Sequence, residues 1–233
     1  MDHYLVDRQI MGRIAATGFK PKVVFDVGGS NGAWTSNALQ IFPDAKYEMF
    51  EPLAEINPAY KAGLSALEKR ANVRMHKLAV GATSHTANFN FLGDRGVGSS
   101  LLGRPAAGEQ AISVKVEPLD ALVASNALPL PDVIKMDIQG GELEALIGAQ
   151  DRCLPYAQLL ALELWLTRGY GGKTPLLVEI FEFLRREDFY PFEFGDEYRD
   201  PEGLLVSKDV WFIRRKSDLG LTIWKNRLDK TWG

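Results

Sequence analysis

The stretch KVVFDVGGSNG, residues 22–32, decides the fold of this chain. Its first six residues form a short run rich in β-branched and aromatic side chains, and glycines follow at once. This pattern predicts a strand that ends in a tight glycine loop. Apolar positions then recur at roughly helical spacing over residues 33–42, before Pro43, so a helix is predicted directly after the loop.

The chain after this stretch continues the alternation. Further strands are predicted at 46–50, 73–80, 132–137 and 158–165. Further helices are predicted at 119–125, 142–150 and 176–186, and within 53–67 on one side of Pro58. Two closing strands are predicted at 189–194 and 209–214. Residues 81–117 interrupt the rhythm and predict a hairpin-like insertion with a mobile glycine-rich loop. Alternating strands and helices form a mostly parallel sheet covered on both faces, so the predicted fold class is three-layer α/β.

The composition is that of a globular protein. The 233 residues are 46% hydrophobic, and 27 basic side chains against 30 acidic ones give a formal net charge of −3. A balanced total gives no electrostatic footprint for nucleic acid, and one cysteine, Cys153, cannot form an internal disulfide. The charged N-terminus lacks the apolar run of a secretory signal, and no apolar run is long enough for a membrane span. We therefore expect a cytoplasmic protein without a nucleic-acid partner.

The glycine loop predicts a nucleoside site rather than a dinucleotide site. A dinucleotide fingerprint that starts at Gly28 needs glycine at position 30, where this chain has Ser30, so the glycine that admits a pyrophosphate is absent. Glu51 ends the predicted second strand, nineteen residues after Gly32, where a carboxylate can accept both hydroxyls of a ribose. The alternative is a tight turn beside a solvated Glu51.

Residues 133–149, with the sequence VIKMDIQGGELEALIGA, closely resemble the signature of the FkbM-type methyltransferases, I-K-x-D-x-E-G-x-E-x-x-x-L-x-G-A. Other stretches fit the same family: FDVGGSNG at 25–32 with FEP at 50–52, VEPLD at 116–120, and LE at 162–163 followed by DVWF at 209–212. The resemblance covers about residues 20–215. This chain differs from the family at Gln139, where the family usually has glutamate. A role that needs a negative charge at this position is lost, whereas a role in hydrogen bonding could survive.

The resemblance implies a class I enzyme that uses S-adenosylmethionine (SAM). It implies a Rossmann-like sheet of seven strands with an antiparallel last strand, in a domain of residues 21–216 between an N-terminal helical extension, 1–20, and a tail, 217–233. The loop would line the methionine part of SAM, Asp26 would serve its ammonium, directly or through water, Glu51 would hold the ribose, and the 78–80 segment would border the adenine. The implied cofactor-binding residues are Asp26, Gly28, Gly29, Ser30, Asn31, Gly32, Glu51, Ala79 and Asp137.

Three carboxylates at the predicted rim are candidates for a general base: Asp137, Glu142 and Glu163. Each has an alternative, since Glu142 could simply favour a helix N-terminus, Asp137 could bind the SAM ammonium or cap the next helix, and Glu163 must be paired or end its strand. His76 is a weaker alternative base. Metal independence is predicted because no metal-binding motif is present, although Asp137 and Glu163 could converge on Mg²⁺.

The acceptor is predicted only by class. Loops 96–101 and 165–170 would flank its pocket, or would be plain surface loops. Because FkbM-type enzymes mostly methylate hydroxyl groups, the resemblance implies O-methylation of a sugar, a glycolipid or another small natural product. The tail contains Trp224 and Trp232, which would dock on the body of the protein or, in a homodimer, on a second subunit. An NAD-dependent oxidoreductase and a non-catalytic SAM-binding or assembly module are the alternative functions.

Overall fold

The computed structural model describes residues 4–91, 99–102, 110–125 and 128–228. The strands in these residues are β1 (Val23–Val27), β2 (Lys46–Phe50), β3 (Val73–His76), β4 (Ala79–Val80), β5 (His85–Phe91), β6 (Gln110–Glu117), β7 (Val133–Met136), β8 (Leu159–Trp165), β9 (Phe189–Arg199) and β10 (Leu205–Arg214). The helices are α1 (Leu5–Ala15), α2 (Ala33–Ile41), α3 (Pro58–Leu67), α4 (Leu119–Ala124), α5 (Glu142–Ile147), α6 (Cys153–Tyr156), α7 (Leu177–Arg186) and α8 (Asp218–Leu228).

Seven strands form the main sheet in the order β3-β2-β1-β7-β8-β10-β9. The pairs from β3 to β8 are parallel, whereas β10 pairs antiparallel with both β8 and β9. The predicted seven-stranded sheet with an antiparallel last strand is therefore confirmed. Every residue of β1 and of β7 is buried, as expected of parallel strands covered on both faces.

Two hydrophobic cores lie on the two faces of this sheet, which makes the three layers. One core contains Met11 of α1, Trp34 of α2, Leu64 of α3 and Ile223 of α8. The other contains buried side chains of the helices α4, α5, α6 and α7. The ends of the central strands are left between the two helical layers, and the loops that follow them carry the candidate site.

The predicted strand 73–80 proves to be two strands in two sheets. β2 ends at Phe50, whose partner in β3 is His76, so the main sheet offers no partner for the residues that follow. Ala79 and Val80 pair instead with β6, in a small sheet of order β4-β6-β5. β5 pairs antiparallel with β6 along its whole length, which confirms the hairpin-like insertion. The predicted mobile glycine-rich loop lies mostly outside the described residues.

The closing hairpin is longer than predicted. β9 continues to Arg199 and β10 begins at Leu205, so the charged segment predicted as a loop is largely strand. Across the described residues, no helix combines the length and apolar character needed to cross a membrane.

Candidate active site

The loop between β1 and α2 takes a backbone path that glycine permits. Gly28 has φ +81°, and a Cβ built on it would lie 1.9 Å from the backbone oxygen of Asp137, so no side chain fits there. The backbone N–H groups of Gly28 and Gly29 both donate to the carbonyl oxygen of Phe50, at 2.9 and 3.1 Å. The loop is therefore fixed against the ends of β2 and β7.

The end of the loop is also the start of α2. Gly32, with φ +81°, is the N-cap residue, and a Cβ there would lie 2.4 Å from a methyl carbon of Leu67 in α3. The side-chain oxygen of Asn31 accepts a hydrogen bond from the backbone N–H of Ala33 at 3.0 Å. The positive end of the α2 dipole lies at this loop, where an anionic group is stabilised.

Glu51 lies beside the loop, as predicted from the sequence. Its two carboxylate oxygens accept from the backbone N–H groups of Ser30 and Leu53, each at 2.9 Å. The residue is 5% exposed. Burial raises its pKa above the ordinary value, and the two N–H donors act against that rise. Each oxygen keeps a second lone pair for a further donor.

Asp26 lies inside the protein, beneath the loop, and is fully buried. One of its oxygens accepts from the Thr35 hydroxyl at 2.6 Å, and the other forms an ion pair with Lys135 Nζ at 3.2 Å. Lys135 Nζ also donates to the carbonyl oxygen of Gly28 at 2.8 Å. Burial alone would lower the pKa of Lys135, but Asp26 and Asp137 raise it above its ordinary value. The described contacts of Asp26 are thus with the protein, and they tie α2, β1 and β7 together.

Two other predicted residues lie at the edge of this region. Ala79 is buried and belongs to the small sheet, where it pairs with Val116. The His76 ring stacks on Phe50 with centroids 4.9 Å apart, and its Nε2 is 2.6 Å from a carboxylate oxygen of Glu48. The structure places His76 next to Glu51, whose backbone N–H donates to the His76 carbonyl oxygen; the other candidate bases follow β7 or lie in α5 and β8.

A narrow cleft lies on the other side of Lys135, and we call it the acidic cleft. Four of its side chains are carboxylates, gathered from α1, β8, β10 and the residue after β7. The residues that line it are Tyr4, Asp7, Lys135, Met136, Asp137, Ala161, Leu162, Glu163, Asp209 and Trp211. Burial first, and then the neighbouring carboxylates, raise the pKa of Glu163 and of Asp209 well above their ordinary values.

Gln139 bridges two of the candidate bases. Its side-chain nitrogen donates to Asp137 Oδ1 and to Glu163 Oε2, each at 2.9 Å. Its side-chain oxygen accepts from the Tyr170 hydroxyl at 2.9 Å, and the other oxygen of Glu163 accepts from the Ser207 hydroxyl at 2.9 Å. The structure therefore brings Asp137 and Glu163 together, with an amide nitrogen between them.

Glu142 points into the turn that precedes α5. Its Oε1 accepts from the backbone N–H groups of Ile138 at 2.9 Å and Gly140 at 3.3 Å. The residue is 1% exposed, and burial raises its pKa to about 7, although those N–H donors oppose the rise. This geometry favours the alternative role given above, at the start of a helix, over contact with a ligand.

The predicted acceptor loops are partly described. Residues 96–98 lie outside the described residues, whereas Ser100 donates through its hydroxyl to the Gln139 carbonyl oxygen at 2.8 Å. Tyr170 packs edge to face on Trp165 with centroids 5.7 Å apart. Arg168 pairs with Glu179 of α7 at 2.7 Å. Within the described ranges, no three His, Cys, Asp or Glu side chains are grouped so that they could hold a metal ion.

Comparison with known families identifies the chain. The family described as "Methyltransferase FkbM domain" matches residues 26–190, which include the glycine loop, Glu51, Asp137, Gln139 and Glu163. The chain belongs to the FkbM methyltransferase family. The FkbM resemblance drawn from residues 133–149 is thereby confirmed.

Solved structures agree on the fold. An FkbM methyltransferase from Methylobacillus flagellatus KT aligns with a TM-score of 0.51 and 18% identity, over 82% of this chain and 43% of that one. The magnesium protoporphyrin IX methyltransferase of Synechocystis PCC 6803, solved with bound SAM, aligns with a TM-score of 0.53 and 11% identity, over 91% of this chain and 80% of that one. A putative O-methyltransferase from Klebsiella pneumoniae aligns with a TM-score of 0.51 and 12% identity, over 89% of this chain and 80% of that one. The present chain thus spans less than half of the first of these, and no curated protein matches it.

The structure gives two residues of the FkbM signature contacts that the sequence did not predict. Lys135 connects Asp26 to the loop, and Gln139 connects Asp137 to Glu163. Two further residues of the cleft were missed: Asp209, and Asp7, whose oxygens accept from the indole nitrogens of Trp34 and Trp211 at 2.9 and 2.8 Å. Asp209 had a signal in the DVWF stretch of the resemblance, whereas Asp7 had none because its partners lie far away in sequence.

Proposed function

We propose that this FkbM protein transfers a methyl group from SAM to a hydroxyl group of a sugar, a glycolipid or another small natural product. The observation that carries the proposal is the position of the Glu51 carboxylate, which lies at the rim of the sheet against the N–H of Ser30 in the glycine loop. An acidic side chain beside a glycine loop suits the ribose hydroxyls of an adenosyl ligand, and it occurs here in a chain of the FkbM family.

The donor and acceptor groups of the loop fit SAM chemically. Glu51 has lone pairs for the ribose hydroxyls, and the N-terminus of α2 suits the methionine carboxylate. SAM, when bound, supplies a methyl group on a sulfonium. Because Asp26 is fully buried, we assign it the task of holding Thr35 and Lys135 in place beneath the loop.

Asp137 is the base that the geometry favours. Both oxygens of Glu163 accept hydrogen bonds from protein side chains, whereas only Oδ1 of Asp137 does so within the described part of the chain. Its Oδ2 is available to receive the proton of an acceptor hydroxyl. A base placed in this way contributes about 10²- to 10⁴-fold to the rate, and holding the acceptor in line with the methyl group contributes much of the rest.

Binding of S-adenosylhomocysteine, measured by calorimetry, tests the cofactor site. We expect the wild type to bind and Glu51→Ala to bind at least tenfold more weakly. Glu55→Ala is the matched control, because Glu55 lies four residues away, is exposed and pairs with Lys77. The absence of binding by the wild type at millimolar ligand contradicts the proposal, and binding of NADH in its place supports an oxidoreductase.

Turnover of labelled SAM against a panel of glycans and hydroxylated natural products tests the chemistry. We expect methylation of a hydroxyl, and we expect Asp137→Asn to lower the rate more than tenfold while S-adenosylhomocysteine still binds. A wild-type rate for that variant removes Asp137 as the base. Cofactor binding without turnover on any acceptor supports the non-catalytic alternative instead.

A further inference from the structure

We propose that Gln139 is a positioning residue that holds the carboxylates of Asp137 and Glu163 together without adding a charge to the acidic cleft. Its catalytic consequence rests on the function proposed above, since it concerns the base of that reaction. Its structural consequence does not, and the two are tested separately below.

The hydrogen bonds of Gln139 involve both N–H groups and the oxygen of its amide. Its two donor positions are taken by Asp137 and Glu163, and its oxygen is taken by the Tyr170 hydroxyl, each at 2.9 Å. Its backbone has φ +56°, in the left-handed region that a glutamine seldom adopts. The Ser100 hydroxyl, which donates to its carbonyl oxygen at 2.8 Å, ties the residue to the chain segment 99–102. The side chain is therefore fixed at both ends rather than free to turn away.

A glutamate at this position could not make these contacts when ionised. A carboxylate only accepts hydrogen bonds, so it would face Asp137 and Glu163 with no donor between them. One of the three carboxyl groups would then have to stay protonated, or the three side chains would move apart. Glutamine is thus the near-isosteric side chain that supplies two donors and one acceptor with no charge.

The surroundings make an extra negative charge costly. Within residues 4–91, 99–102, 110–125 and 128–228, the acidic titratable groups around the bridge come from several elements: Asp137 after β7, Glu142 of α5, Glu163 of β8, Tyr170 after β8, Asp209 of β10, and Tyr4 and Asp7 at and within α1. Lys135 is the cation among the described lining residues, and it already pairs with Asp26. Since like charges raise the pKa of a carboxyl, one more acid here would favour protonation of the whole group.

This has a consequence for catalysis. With Gln139 in place, Asp137 is bonded through Oδ1 and keeps Oδ2 for an acceptor. With glutamate in place, the pair would hold a proton at higher pH, and the fraction of enzyme with an ionised base would fall. Gln139 therefore fixes the orientation of the base and adds no negative charge beside it.

Thermal unfolding of the unliganded protein between pH 5.5 and 8.5 tests the structural part. At pH 5.5 the protonated carboxyl introduced by Gln139→Glu can donate one hydrogen bond, so we expect this variant to unfold within about 2 °C of the wild type. At pH 8.5 we expect it to unfold about 4 °C or more lower, as a pKa rise of about one to three units implies for a protein of this size. The matched control is Gln150→Glu: Gln150 also donates to a carboxylate, that of Glu187, but at an exposed site, and we expect a shift below about 1 °C throughout.

A charge-swapped variant covers the case in which Gln139→Glu does not fold. In Gln139→Glu combined with Glu163→Gln, the amide and the carboxylate exchange places and the charge of the wild type returns. We expect this double variant to fold and to lose less stability at pH 8.5 than the single variant, because the contact between residues 139 and 163 again contains an amide donor. A loss of stability in Gln139→Glu that is equal at every pH, or a double variant that is no better than the single one, overturns the proposal.

The rate of methylation against pH tests the catalytic part, with whichever acceptor of the panel is turned over. We expect the acidic limb of the profile to move up by about one unit or more in Gln139→Glu. If the acidic limb of the profile does not move in Gln139→Glu, the catalytic part of the proposal is overturned. If the wild type does not bind S-adenosylhomocysteine, the proposed function fails while the unfolding experiment still decides whether Gln139 is the bridge.

Discussion

The two sides of the site keep their carboxylates in place by different means. On the side proposed to bind the cofactor, which we call the cofactor side and which comprises the loop of residues 28–32 with Glu51, the carboxylate of Glu51 is bonded by backbone N–H groups of Ser30 and Leu53. On the side proposed to receive the acceptor, which is the acidic cleft and which we call the acceptor side, Glu163 is bonded by the side chains of Gln139 and Ser207. The first set of donors depends on the path of the main chain, and the second depends on which residues the sheet brings together.

This difference teaches where the protein tolerates change. Backbone donors survive most substitutions, so the cofactor side is sensitive mainly to residues that fix the path of the loop. The acceptor side is sensitive to each side chain of its network, because a buried acid that loses its donor is costly. Lys135 belongs to both sides, since it is bonded to the loop at Gly28 and lines the cleft.

The largest effect is expected where the two sides meet. Lys135→Met removes the partner of a fully buried Asp26, and breaking such a pair costs about 3–5 kcal/mol in the free energy of unfolding. Urea unfolding measures it. Combining Lys135→Met with Asp26→Asn removes both charges, and we expect most of the loss to be recovered. A cost below about 1 kcal/mol for the single variant would show that the pair does not join the two sides.

The next effect isolates the backbone of the cofactor side. Gly28→Ala places a Cβ 1.9 Å from a backbone oxygen, and we expect it to cost about 3 kcal/mol or more and to weaken S-adenosylhomocysteine binding. Gly203→Ala is the control, because Gly203 has φ +84° but open space around it; we expect about 1–2 kcal/mol there. Equal costs in urea unfolding would mean that the contact with the residue after β7 does not constrain the loop.

A smaller effect is expected from Glu142, whose pKa rises from 4.5 to about 7 on burial. The folded protein then holds a proton that the unfolded chain releases, so stability is lost as the pH rises through this interval. Glu142→Gln keeps an oxygen for Ile138 and Gly140, and we expect it to remove about 2–3 kcal/mol of the decline between about pH 5 and pH 8. Urea unfolding at several pH values measures this, with the exposed Glu144→Gln as a control that leaves the slope unchanged. An unchanged slope in Glu142→Gln would mean that another carboxyl causes it.

The sequence predicted most of the cofactor side because its signals are local. The strand at 22–27, the glycines after it and Glu51 at the end of the next strand lie within one short segment, and parallel neighbours place them together. The strand at 73–80 was wrong in part for a non-local reason: whether Ala79 continues one strand or starts another depends on where β2 ends and on β6, which follows only after the whole insertion.

The amino-acid sequence by itself thus determined the family through its signature, the three-layer α/β sheet through periodicity, and the closeness of Glu51 to the glycine loop through a short local motif. The antiparallel last strand was implied by the resemblance to the family. Only the tertiary structure decided that Asp26 pairs with Lys135 and that Glu142 accepts hydrogen bonds from the turn before its own helix. It also decided that Gln139 joins Asp137 to Glu163. The physical reason is that a buried polar group must find a partner, and the partner is chosen by packing across the sheet rather than by distance along the chain.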